Sequence, residues 1–168
     1  MKRIILVAVL ALVAFSANAQ FYVGGQVGFS TGNNRTDFDV LPEVGYVLNE
    51  TMSVGAVVGF TIDALKDTYT DTGFTIAPYF RYNLLELGPA TLFVDAQLQL
   101  AFWSDKNLVA DTKTNDSSVG IGVSPGLAIP FTENLSFVAH LGRVGYYNEA
   151  FVVGVYPSNF NAGLYYSF

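Results

Sequence analysis

From Val54 to Ile62 the even positions of this chain read Val54, Ala56, Val58, Phe60 and Ile62, and the odd ones around them Ser53, Gly55, Val57, Gly59, Thr61 and Asp63. Successive side chains of an extended strand point to opposite faces, so a period of two separates a greasy face from a largely small or polar one. The split recurs from Leu92 to Phe102, where Leu92, Val94, Ala96, Leu98, Leu100 and Phe102 oppose Phe93, Asp95, Gln97, Gln99 and Ala101. It recurs again from Val119 to Phe131, and no sustained helical stripe competes with it after residue 20. The pattern predicts eight strands, near 21–30, 38–48, 52–63, 73–84, 91–103, 118–131, 135–147 and 158–168. Short connections at 49–51, 85–90 and 132–134 alternate with longer, mostly polar ones at 31–37, 64–72, 104–117 and 148–157. That is the layout of an antiparallel up-and-down barrel.

The first nineteen residues read differently. Lys2 and Arg3 precede the unbroken apolar run Ile4 to Phe15, and Ala17-Asn18-Ala19 follows with small-x-small spacing. These are the parts of a secretory signal peptide, and the run is too short to span a bilayer as a helix. Residues 1–19 are expected to be cleaved, leaving 20–168 as one barrel domain. The chain has no cysteine, so an exported form has neither disulfides nor a lipidated cysteine to hold it. Removing Lys2 and Arg3 leaves six basic against 14 acidic residues, a net charge of −8, which argues against nucleic acid as a partner.

The alternation alone does not say which face is inside. A soluble barrel or sandwich buries its apolar face and solvates the polar one with lysine and glutamate. Here the polar face is mostly glycine, serine, glutamine and asparagine, and its strand charges are few: Asp39, Glu43, Asp63, Arg81, Asp95 and Arg143. Hydrophobic residues make up 51% of the chain and charged ones 13%, a poor recipe for a water-facing sheet. Turned inside out, the same strands put the apolar face against lipid and the small polar face in a lumen, with every backbone group paired by closure. Strands of about eleven residues, rising roughly 3.3 Å each and tilted about 40°, give a height near 25–30 Å, that of an outer-membrane hydrocarbon band. Aromatics fall at both strand ends: Phe21, Tyr46, Tyr82, Phe131, Tyr166 and Phe168 by the short turns, and Phe29, Phe38, Phe60, Phe74, Phe102 and Phe160 by the long loops.

The last strand carries Phe160, Ala162, Leu164, Tyr166 and Phe168 on the lipid face, and the sequence stops on the phenylalanine. This resembles the C-terminal signal of bacterial outer-membrane proteins. With "LPEVGYVLNETMSVGAVVGF" (41–60), the chain resembles the small outer-membrane β-barrel family that includes the OmpA transmembrane domain and OmpX-type proteins. The resemblance implies an eight-stranded antiparallel up-and-down transmembrane β-barrel in the outer membrane of a Gram-negative bacterium. It also implies recognition by the barrel-assembly machinery through Phe160, Leu164, Tyr166 and Phe168, and contact with outer-membrane lipids and lipopolysaccharide. No peptidoglycan-binding domain follows in this sequence, so an anchoring role is not implied.

Arg81 is the most informative charge. The 85–90 hairpin should bring it opposite or diagonal to Asp95, with Glu43 at a similar depth, because a buried guanidinium needs carboxylate partners. The expectation is a structural ion-pair network of Arg81, Asp95 and Glu43 that plugs the lumen; a gated ion path is the alternative. An eight-stranded barrel is just wide enough inside for side chains, and Tyr22, Tyr79, Phe93, Trp103 and Tyr165 would help to fill it. His140 is the sole histidine; the serine that follows two residues after the histidine in outer-membrane lipid A deacylases is replaced by Gly142. Strict alternation puts Arg143 on the lipid face, where it could meet a lipopolysaccharide phosphate unless a bulge near Gly142 and Gly145 reverses the face. Proline disrupts ladders, so bulges or waters are expected at Pro42, Pro78 and Pro125. Neither a cofactor nor a metal cluster is expected. The chain reads as a monomeric, non-enzymatic barrel with a structural or surface-interaction role through its loops. A lipid-modifying enzyme and a secreted soluble ligand-binding barrel remain open at this point.

Overall fold

The computed structural model describes residues 20–32, 35–65, 69–107, 112–147, 150–154 and 161–168; the expected signal peptide and Phe160 lie outside them. Ten antiparallel strands follow in chain order: β1 (Phe21–Gly32), β2 (Arg35–Asn49), β3 (Met52–Leu65), β4 (Tyr69–Leu87), β5 (Ala90–Asn107), β6 (Thr112–Pro130), β7 (Leu135–His140), β8 (Arg143–Tyr147), β9 (Ala150–Gly154) and β10 (Asn161–Ser167). Each of β1 to β6 pairs with the next, and β10 joins β7 to β1, so eight strands close a ring. Strands β8 and β9 stand outside that ring. The seam between β1 and β10 runs from Tyr22↔Ser167 to Val27↔Ala162. It is finished at the short-turn end by the Phe168 amide donating to the Phe21 carbonyl at 3.1 Å.

Outward and inward residues separate as period two requires. Leu98 and Leu164 are 42% and 52% exposed, whereas Phe93 and Tyr165, one residue over from an outward position, are 1% and 3% exposed. Phe38, Phe60 and Phe102 lie exposed toward one end of the ring and Tyr82, Phe131 and Tyr166 toward the other. Inside, glycines make room for rings: a Cβ on Gly45 would strike the Tyr22 ring, and one on Gly126 the Phe93 ring. An outer surface carrying this much leucine, valine and phenylalanine is far beyond the apolar patch a water-soluble monomer exposes.

Four expectations are corrected. The segment 104–117, read as a long loop, is mostly ladder, with Ser104↔Asn115 through Asn107↔Thr112 extending the β5–β6 hairpin. Backbone pairing beyond the apolar band needs no apolar side chains, so polarity there misleads. The strand expected at 135–147 is broken at Leu141 and Gly142 into β7 and β8, which line up in turn along β6. Part of the loop expected at 148–157 is β9, paired to β8. Pro42 and Pro78 cause no bulge: β2–β3 skips the pairs at Leu41 and Pro42, β4–β5 skips those at Ala77 and Pro78, and each ladder resumes in register. Each proline leaves one neighbour unpaired locally while its other neighbour stays paired, Gly25 beside Pro42 and Ala56 beside Pro78. Pro125 sits at the β7–β8 break, where its carbonyl accepts from the Leu141 amide at 2.9 Å.

Candidate functional site

The inward side chains of six strands converge on one guanidinium. Arg81 and Asp95 are direct cross-strand partners on β4 and β5, which sets their side chains side by side on the inner face. Arg81 donates from Nε to Asp95 Oδ1 at 2.7 Å and from Nη2 to Asp95 Oδ2 at 2.8 Å, a two-pronged pairing. Nη2 also reaches Glu43 Oε1 on β2 at 3.3 Å. The structure thus brings Arg81, Asp95 and Glu43 together, and all three are buried.

The remaining capacity of the carboxylates is met by hydroxyls, an amide and an imidazole. Glu43 accepts from the hydroxyls of Tyr79 and Tyr165 and from the Gln26 amide at 3.1 Å. Tyr22 and Tyr79 share a hydrogen bond between their hydroxyls. Asp95 Oδ2 also lies 2.8 Å from His140 Nε2, and His140 Nδ1 lies 2.9 Å from Gln26 Oε1. Around the guanidinium stand the rings of Phe93, Tyr79, Tyr165 and Tyr22, with Arg81 Cζ at 4.1, 5.0, 5.8 and 6.0 Å from their centroids. A desolvated cation between ring faces and two carboxylates is held on every side. Chemically the cluster is one hydrogen-bonded network, in which guanidinium, carboxylates, hydroxyls, amide and imidazole point at one another.

Gln26 joins the cluster without having been among the expected site residues. Its position was legible, since it occupies the same inward parity of β1 as Tyr22, Gly24 and Gly28, and is the one amide there.

Of the two placements the sequence leaves open for Arg143, the structure has the reversed one. Strict alternation from β7 would send it outward, toward lipopolysaccharide. The break at Leu141 and Gly142, where Gly142 takes φ 151° and its carbonyl accepts from Ser124 Oγ at 2.6 Å, shifts the parity by one. Val144 and Tyr146 then pair with the outward Val123 and Ile121, and Arg143 turns inward over the Tyr147 ring at 5.0 Å. Of the C-terminal residues, Leu164 and Tyr166 are exposed on the outer face, and Phe168 packs edge-on against Tyr166 at 5.2 Å.

A closed antiparallel ring with an oily exterior and a charged, hydrogen-bonded interior defines the class: a β-barrel built to sit in a membrane. The chain belongs to the outer membrane protein beta-barrel domain family, whose model matches residues 4–168. Solved structures of the same fold include Neisserial surface protein A, at 19% identity and a TM-score of 0.62, with 88% of this chain and 97% of that one covered. A major outer membrane protein from Thermus thermophilus matches at 17% identity and 0.60, covering 89% and 98%. The N-terminal β-barrel domain of Pseudomonas aeruginosa OprF matches at 15% and 0.56, covering 90% and 98%. No curated protein matches the sequence. The chain is an outer-membrane β-barrel protein, and the family points to the bacterial outer membrane.

Proposed function

We propose that this protein is a closed barrel, exported by its N-terminal segment, that acts as a structural or surface-interaction component of the outer membrane and neither conducts solutes freely nor catalyses a reaction. The observation that carries this reading is the Arg81–Asp95–Glu43 cluster, in which cation, carboxylates and four aromatic rings meet across the middle of the ring. Eight strands leave an interior that side chains can fill, so a cluster of this size occupies the path a solute would take. A lipid-modifying role is disfavoured by His140: both ring nitrogens are engaged, by Asp95 and Gln26, and neither is free to activate a hydroxyl. The outward Leu164, Tyr166 and Phe168 are the residues this reading offers to the assembly machinery and to lipid, with the barrel working as a monomer.

The test is conductance of the purified protein in planar bilayers. The reading expects no large unitary steps; large, stable steps from the wild-type chain would overturn it. Lipid A mass spectra from cells with and without the protein should be identical.

A further inference from the structure

We propose that His140 is the second cation of the plug, a doubly protonated imidazolium, and that losing its proton unlatches β7 from the Arg81–Asp95 pair, so that closure of the lumen responds to pH. Both oxygens of Asp95 accept from Arg81, at 2.7 and 2.8 Å, so the carboxyl is ionised and has no hydrogen to give. The 2.8 Å contact to Asp95 Oδ2 therefore needs a hydrogen on His140 Nε2.

The other nitrogen faces Gln26, and the amide's orientation is fixed by its far end. Gln26 Nε2 lies 3.1 Å from Glu43 Oε2 and 2.5 Å from the Tyr165 hydroxyl oxygen, while Tyr165 gives its one hydrogen to Glu43. Flipping the amide would set its oxygen against a carboxylate with no hydrogen between them. Gln26 Oε1 thus faces His140, and an amide oxygen only accepts, so the 2.9 Å contact needs a hydrogen on Nδ1 as well. Both ring nitrogens donate, which only the imidazolium can do.

Charge arithmetic reaches the same state independently. Arg81 against Glu43 and Asp95 leaves one net negative charge in a desolvated site, and a protonated His140 brings the sum to zero. The polar, charged and aromatic groups on the elements packed around the ring include Tyr22 and Gln26 on β1, Glu43 on β2 beyond it, Tyr79 and Arg81 on β4, Asp95 and Phe93 on β5, Ser124 on β6, whose hydroxyl donates to the Gly142 carbonyl, and Asn161 and Tyr165 on β10. Opposite His140 on β6 stands Gly126, which has no side chain to contribute, and Arg143 on β8 stacks on Tyr147 instead. Phe93 meets the imidazole edge-on at 5.3 Å.

A neutral imidazole donates once. Deprotonation must therefore give up either Asp95 or Gln26 and leave the plug one charge out of balance. The consequence for the lumen rests on the closed-barrel reading above; the protonation state does not. Because the chain has one histidine, a ¹⁵N-histidine-labelled sample of the full chain in lipid nanodiscs gives an unambiguous spectrum. At about pH 6 both ring nitrogens should carry bonded hydrogens, whereas one bare nitrogen at that pH overturns the proposal. Raising the pH until one proton leaves should speed amide exchange at Val138 and His140 by roughly tenfold or more beyond the base-catalysed rise shared by the amides of β2 and β3, the scale of one charge-assisted hydrogen bond; a rise no larger than theirs would also overturn it. In Glu43→Gln the neutral ring is the balanced one, so its spectrum under the same conditions as the wild type should show one bare ring nitrogen, and a ring that still carries both hydrogens counts against the charge balance. If that variant does not fold, the wild-type spectrum and exchange decide alone. Large wild-type conductance at pH 6 alongside a doubly protonated ring would sink the closed-barrel reading and with it the consequence for the lumen, and leave the protonation state of His140 standing.

Discussion

Replacing Asp95 with alanine isolates what the plug contributes to stability. Asp95 is 3% exposed and accepts three hydrogen bonds, two from Arg81 and one from His140. Alanine leaves both donors buried with only Glu43 as counter-charge, and Glu43 lies 3.3 Å from Arg81, farther than either oxygen it loses. Breaking a buried pair by removing one partner costs about 3–5 kcal/mol, or roughly two to three and a half decades in the folding equilibrium. Urea titration of the lipid-reconstituted protein, read by the mobility difference between folded and unfolded forms on unheated gels, measures this directly. Arg81→Met alone should cost a similar amount. The Arg81→Met/Asp95→Ala double variant should cost less than the sum by about 1–3 kcal/mol, because Glu43 and His140 then balance each other. A loss below about 1 kcal/mol for Asp95→Ala, or strict additivity of the pair, would refute the claim that these groups form one desolvated network.

Other substitutions probe the faces and the fit. Leu98→Lys puts a charge on the outer band and should cost about 2–4 kcal/mol in bilayers, read by the same titration. Gly126→Val drives a side chain into the Phe93 ring, and overpacking should cost about 1–3 kcal/mol and slow folding into vesicles. Tyr165→Phe removes a hydroxyl that Glu43 and Gln26 both use and should cost about 1–3 kcal/mol without opening a conductance.

Much of the architecture was legible because one period governs all of it. Val54 to Ile62 and Leu92 to Phe102 state the inward and outward faces residue by residue, and hairpin pairing then sets Arg81 against Asp95 with no further information. What parity cannot foresee is where it resets. In the run from Leu135 to Tyr147 the glycines at 142 and 145 allow a reversal of face, but glycine is equally frequent on the inner face of intact strands such as β6, so parity alone leaves both placements of Arg143 open. Polar composition hid the β5–β6 extension at 104–117, because above the apolar band a strand and a loop have the same solvent. The prolines misled in the opposite sense. A bulge shifts register, whereas Pro42 and Pro78 only drop ladder pairs on one side and leave every side chain on its face. Gln26 shows a further limit: its parity was plain, but its role depends on β7 and β10 arriving from far along the chain.

The account stands on the orientation of the wall, and that is open to one measurement. The chain has no cysteine, so single cysteines at Leu98, Ile121 and Leu164 on the outer face, and at Ala77 and Ser124 on the inner one, can each carry a spin label in reconstituted bilayers. Collision with oxygen dissolved in the lipid should dominate at 98, 121 and 164 and be weak at 77 and 124. Labels at 98, 121 and 164 that are shielded from lipid, with those at 77 and 124 exposed to it, would contradict the account outright.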